Sequence, residues 1–228
     1  MGASSSREAP PPPLAAITPL GLYPRFTIHT GQMALSVRRK FGGDCSVKDA
    51  MTGQKIFDVL SSAFSFSNKR EILDAQGQFI MWMETRPFTM YPKIDAFDGR
   101  PRQSGTGVAP PVLKVKFGTS TSANVMFKDR CRSDGVEQDV VLRLETNYRC
   151  SKATVFDAHG QPIARMLASS AGHEMLLTIA PGADAALATA ICTIVMDRAR
   201  AKQRRNRNPG TMGGGASASA SANAGSIM

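Results

Sequence analysis

The stretch AALATAICTIVM, residues 185–196, runs for twelve residues without a charge. On a helical period its apolar side chains fall on every side, so no face of the helix suits water. Pro181-Gly182 breaks the chain just before it, and Asp184 stands where a helix N-terminus takes a capping acid. Basic residues follow from Arg198, suited to the C-terminal dipole and to a return to solvent. Twelve helical residues span about 18 Å, short of the roughly 30 Å of a bilayer's hydrocarbon core. The segment, rich in Ala and Thr, is expected inside the protein and not across a membrane.

What precedes the helix reads as short strands: Ala34–Lys40, Lys55–Leu60, Glu71–Asp74, Phe79–Glu84, Val112–Phe117, Asn124–Lys128, Val140–Glu145, Ala153–Phe156, Pro162–Leu167 and Met175–Ile179. LKVKF (113–117) and VLRLE (141–145) alternate with period two, which puts one face inside and one in water. A strand every ten residues or so, with turn signals between, points to a sandwich or barrel. The loop 99–111 divides the body into two halves. A helix apolar all round, in an otherwise β body, has to run through its middle.

A turn motif recurs three times, in VKDAMTGQKIF (47–57), ILDAQGQFIM (72–81) and FDAHGQPIA (156–164). Each places Asp-Ala, one or two free residues and Gly-Gln between strand-like segments. The carboxylate can bond nearby backbone N–H groups and glycine takes positive φ at little cost, which makes a hairpin turn. A calcium loop needs several oxygen ligands at alternating positions, and this motif follows its one carboxylate with Ala. The three copies suggest a duplicated meander of hairpins.

The chain of 228 residues carries a net charge of +10, unevenly placed. Arg198, Arg200, Lys202, Arg204, Arg205 and Arg207 cluster without an acid, leaving 22 basic residues against 18 acids elsewhere. Four scattered cysteines, with no C-x-x-C, and three histidines give no zinc pattern; free, reduced thiols of a cytoplasmic protein are expected. No metal or cofactor motif is present. G-x-S-x-G, P-loop and G-x-G-x-x-G motifs are also missing, and His159, His173 and Glu174 have no nucleophile in sequence, so the chain reads as non-enzymatic. No secretory signal opens the sequence. Residues 1–20, with Pro10 to Pro13, read as a disordered arm, and 204–228 as a basic then Gly/Ser/Ala-rich disordered tail.

The order of these pieces resembles the LURP-one-related family. VKDAMTGQKIFDV (47–59), SNKREILDAQG (67–77), LKVKF, NYRCSKATVFDAHGQPIARM (147–166) and LLTIAPGADAALATAICTIVMD (176–197) carry the likeness, over about residues 20–200. The resemblance implies a mainly β fold: a closed twelve-stranded antiparallel β-barrel around a central buried C-terminal α-helix. This is the Tubby C-terminal-like architecture, shared with phospholipid scramblases. The barrel is then expected over 21–200, with its helix at about 183–203. The helix is poorer in Ile, Leu and Val than the family's, which implies a narrower or less tightly packed barrel. Named members of the family are linked to plant defence, and Tubby relatives bind phosphatidylinositol bisphosphate. No catalytic residues carry over.

Functional expectations therefore rest on charge and on the chain's start. MGASSS matches the N-myristoylation pattern at Gly2. One acyl chain gives marginal membrane binding, for which the tail cations supply a second signal. Arg38, Lys40, Lys69 and Arg70 are further candidates for an anionic lipid or phosphoinositide, with alternation sending Arg38 and Lys40 to one face and Arg39 to the other. The expected protein is a monomeric binding or scaffold protein, cytoplasmic and peripheral at the plasma membrane, in stress or defence response. One alternative is a scramblase-like lipid-handling protein, which would need membrane insertion of the short helix. The other is a nuclear or nucleic-acid-associated factor using the basic tail. The sequence names no protein partner.

Overall fold

The computed structural model describes residues 11–28, 30–62, 69–86, 92–99, 110–119, 121–132, 134–169 and 173–207. Its strands are β1 (Met33–Arg39), β2 (Cys45–Asp49), β3 (Lys55–Ser61), β4 (Arg70–Asp74), β5 (Phe79–Arg86), β6 (Lys93–Phe97), β7 (Leu113–Phe117), β8 (Ser122–Asp129), β9 (Gln138–Thr146), β10 (Lys152–Phe156), β11 (Pro162–Ala168) and β12 (Glu174–Ile179). They form one closed antiparallel barrel in which every strand pairs with its neighbours in sequence. β1 closes on β12, with Leu35 opposite Leu177 and Val37 opposite Met175. Closure leaves no unpaired edge among these strands. β2 and β6, five residues each, were not separable from their surroundings on pattern alone.

Alternation decides what faces the lumen. In β7, Leu113, Val115 and Phe117 are buried while Lys114 and Lys116 are exposed. Leu142 and Leu144 do the same from β9, and Leu35 and Val37 from β1. The lumen is filled by one helix, α1 (Ala185–Arg207), whose residues 185–196 are all buried. Ala186 and Ala190, both 0% exposed, let the wall side chains approach closely, and a void of only about 10 Å³ remains beside Leu187 and Ile191. The helix therefore fits a tight barrel. It also runs beyond the expected end near 203, across the rim to Arg207. Among the described residues no helix is long and apolar enough to cross a membrane.

The three Asp-Ala-x-Gly segments are hairpin turns joining β2 to β3, β4 to β5 and β10 to β11. Asp157 Oδ1 accepts the N–H groups of His159 at 2.9 Å and Gln161 at 2.8 Å, and Gly160 has φ +80°. Asp49 and Asp74 accept equivalent bonds. In an up-and-down barrel all three turns lie at one end, the base, where the helix begins. The turns from odd to even strands make the other end, the exit rim.

The base holds the main departure from the sequence reading. Residues 11–20, expected in a disordered arm, pack against the barrel. Leu14 is 5% exposed and its N–H donates to Gln32 Oε1 at 2.7 Å. Ile17 N–H donates to the Pro181 carbonyl at 2.9 Å, and Leu20 forms a parallel bridge with Ala183. Asp184 binds this strap and the helix together. Its Oδ2 accepts Leu22 and Tyr23 N–H groups while Oδ1 accepts those of Ala186 and Leu187. The barrel unit therefore starts earlier than residue 21. Gly2 and residues 208–228 lie outside the described residues.

Candidate functional site

At the exit rim the helix leaves the lumen and lies over the turns between strands. Arg198 and Lys202, four residues apart, share a face. Arg198 Nη2 donates to the Thr119 carbonyl at 2.9 Å, and its guanidinium sits 3.9 Å above the Phe117 ring. Lys202 Nζ donates to the Tyr148 carbonyl at 2.6 Å and stands 4.8 Å from that ring's centre. These two cations of the expected lipid-binding tail thus serve the fold, satisfying turn carbonyls and holding the helix extension to the rim. Arg200 and Arg204 are exposed, and the Arg205 and Arg207 side chains lie outside the described residues.

A second face of the same helix carries Asp197, Arg200 and Arg204. Arg70 holds Asp197 through a fork, Nε at 2.5 Å and Nη2 at 2.6 Å, and gives Nη1 to the Gly43 carbonyl at 2.8 Å. Arg39 Nη2 donates to Asp197 Oδ1 at 2.8 Å. Alternation explains both arginines: Arg70 shares the inward face of β4 with Ile72, and Arg39 turns inward where β1 ends. Burial, then the neighbouring Arg204 and Arg39, hold the Arg200 pKa below its ordinary value, with Asp197 opposing them. Arg70 is therefore an internal ion-pair partner, not the surface contact expected from the sequence. Lys69 lies 5.4 Å from the Trp82 ring centre.

Outside the wall, β1, β2 and β12 frame a groove of about 500 Å³. Ser36 stands opposite Lys48 and Arg38 opposite Ser46 across β1 and β2, so these four side chains share the outer face. Lys40 and Phe41 close the upper end, where the short turn Phe41–Gly43 joins the strands. Glu174 is the one acid of the lining, and it accepts a hydrogen bond from the Ser36 hydroxyl. Lys40 reaches Asp58 at 3.7 Å, whereas Arg38 and Lys48 make no ion pair among the described residues. Phe41 is fully exposed at the lip. An open, basic groove beside a projecting aromatic can hold an anionic group while an apolar side chain enters a less polar phase.

Of the ten basic residues singled out from sequence, the structure places Arg38 and Lys40 in this groove and Arg204 exposed on the helix extension, whose last residue is Arg207. Lys48 and Phe41 were missed. Lys48 belongs to an unrecognised strand, and an apolar residue in a turn carries no signal of exposure. No three or more potential metal-ligating side chains come together among the described residues. All four cysteines are free, and burial pushes the thiols of Cys45 and Cys192 up.

Comparisons with known proteins agree with this architecture. A crystal structure of an Arabidopsis thaliana protein superposes with a TM-score of 0.53 at 17% identity, covering 77% of this chain and 95% of that one. That likeness is one of fold. No curated protein sequence matches. The sequence profile of the LURP-one-related family matches residues 33–197, from β1 to the Asp197 that meets Arg39 and Arg70. That match covers more than half of the chain, which belongs to the LURP-one-related family.

Proposed function

We propose that this LURP-one-related protein is a non-enzymatic binding protein that docks on anionic membrane surfaces through the β1–β2 groove and the exit rim beside it. The observation that carries the reading is the groove itself, with Arg38 and Lys48, which make no ion pair among the described residues, beside an exposed Phe41. Each cation near an anionic leaflet contributes about 1 kcal/mol, and burying a phenylalanine about 1.5–3 kcal/mol. Together they give weak, reversible attachment. Acylation of Gly2 would add the second signal that stable anchoring needs. A phosphoinositide fits the groove's charge, and a place in stress or defence signalling is carried over from the family likeness alone.

Sedimentation with phosphatidylcholine vesicles, with and without phosphatidylserine, tests the reading. The protein is expected to pellet only with the anionic vesicles. Arg38→Ala with Lys48→Ala lowers binding at least tenfold, and Phe41→Ala about tenfold, with unchanged melting temperatures. Equal pelleting of the double variant and the parent would remove the groove from this account. A Gly2→Ala variant that stays at the membrane in cells rules out acylation as the anchor.

A further inference from the structure

The outer groove holds an acid that a site for anions alone would not need. Glu174 stands directly opposite Arg38 across β12 and β1, yet the two make no ion pair. Its Oε1 accepts the Ser36 hydroxyl instead, and Oε2 has no hydrogen-bond partner among the described residues. The side chain is only half-buried, on the lining of the same cavity of about 500 Å³. Two of the groove's cations are already engaged. Arg39 turns inward to Asp197, and Lys40 lies 3.7 Å from Asp58. Arg38 and Lys48 remain, both exposed. Lys48 faces Ser36 across β2 and β1, so it sits on the diagonal from Arg38, about 7–8 Å away between backbones. Two cations and one acid thus face the same cavity. A carboxylate in that place repels a plain anion and favours a ligand that brings a positive group to meet it.

We infer that the groove recognises an anionic headgroup carrying an ammonium, that of phosphatidylserine. This rests on the docking reading and narrows it to one lipid. The phosphodiester and the serine carboxylate supply negative charge to Arg38 and Lys48, and the ammonium donates to Glu174 Oε2. Ser36 holds the Glu174 carboxylate in place before the lipid arrives, which lowers the cost of ordering it. Phosphatidylglycerol brings a phosphodiester and nothing for Glu174. Phosphatidylethanolamine brings the ammonium but one anionic group for two cations. A phosphoinositide matches the cations and sets phosphate against the acid.

Phosphatidylcholine vesicles carrying equal mole fractions of phosphatidylserine or phosphatidylglycerol test the inference, because the two lipids have the same net charge. The parent protein is expected to bind the serine lipid about tenfold more tightly, the scale of one hydrogen bond between charged groups. Glu174→Gln keeps an oxygen for Ser36 and removes the charge, and should bring the two lipids to within about twofold of each other. A parent that binds phosphatidylglycerol as tightly as phosphatidylserine overturns ammonium recognition and leaves anionic docking standing. Binding to neither vesicle overturns the docking reading, and this inference with it. A serine preference that survives Glu174→Gln overturns the part given to Glu174. The comparison of lipids on the parent needs no variant, and the melting temperature of Glu174→Gln checks that its fold is kept.

Discussion

The Asp184 carboxylate accepts the backbone N–H of Tyr23 at 2.8 Å across 161 residues of chain. The same side chain caps the central helix, so one residue fixes both where the helix starts and where the strap crosses the base. It is 1% exposed, and removing it leaves four backbone donors without their acceptor. Asp184→Ala is expected to cost about 3–5 kcal/mol, a fall of at least 6 °C or so in melting temperature. Limited proteolysis should then cut within residues 11–20, which the parent protects. A variant with parental melting temperature and protection would contradict the role.

Asp197 ties the far end of the helix to two strands. Asp197→Ala leaves Arg39 and Arg70, 11% and 9% exposed at their side chains, without their carboxylate. Stripping one partner from largely buried charges costs about 3 kcal/mol here, or roughly 6–12 °C. Arg204→Ala, which removes an exposed cation from the same helix face, should move the melting temperature by less than about 2 °C. The contrast between the two, measured by Trp82 fluorescence, separates the internal ion pair from general charge.

Inside the lumen the helix carries one polar atom too many. Thr193 Oγ1 donates to the Thr189 carbonyl at 2.9 Å, but Thr189 Oγ1 is buried without a partner among the described residues. Thr189→Val keeps the shape and removes the unpaired hydroxyl. It should stabilise the protein by about 1 kcal/mol, raising the melting temperature by about 2–4 °C. Thr193→Val removes a satisfied hydroxyl and should not stabilise. A lower melting temperature for Thr189→Val would show that its hydroxyl does find a partner.

The thiols offer a pH test. Burial pushes Cys131 from its ordinary 9.0 up to about 11, although it is only partly covered. At pH 8 about 0.1% of it is thiolate, against about 10% for a thiol at 9. Native protein should therefore react with Ellman's reagent about a hundred times more slowly than denatured protein, with Cys131 reacting first. Because its folded pKa is the higher one, its contribution to stability is complete below pH 9. That contribution is lost as pH rises from 9 towards 11 and the unfolded thiol ionises. Rapid labelling of Cys131 at pH 8 would refute the burial argument.

How far the sequence could be read depended on whether a side chain's fate was local. Leu113-Lys-Val-Lys-Phe117 announced its own alternation, and the three Asp-Ala-x-Gly turns announced theirs. The apolar girth of residues 185–196 required a surrounding wall. Asp184 read as a helix cap, but its grip on Leu22 and Tyr23 depends on a strap distant in sequence. The basic tail misled for the same reason. Arg198 and Lys202 look free in a row of cations, and only the closed barrel brings Thr119 and Tyr148 beneath them. Arg70 could have been recognised as inward-facing from Ile72 two residues on, had its charge not suggested the surface.

The helix that fills the lumen comes after all twelve strands in the chain. At a ribosome's pace of about 5–20 residues per second, the wall emerges over roughly ten to thirty seconds before its filling does. Throughout that interval Leu35, Val37, Phe57 and Leu142 have no α1 to pack on. The nascent chain therefore passes through a sticky, unclosed sheet whose first and last strands cannot yet meet. Chaperone dependence during synthesis, and aggregation of chains halted before Ala185, are the consequences expected of a barrel plugged by its own last helix.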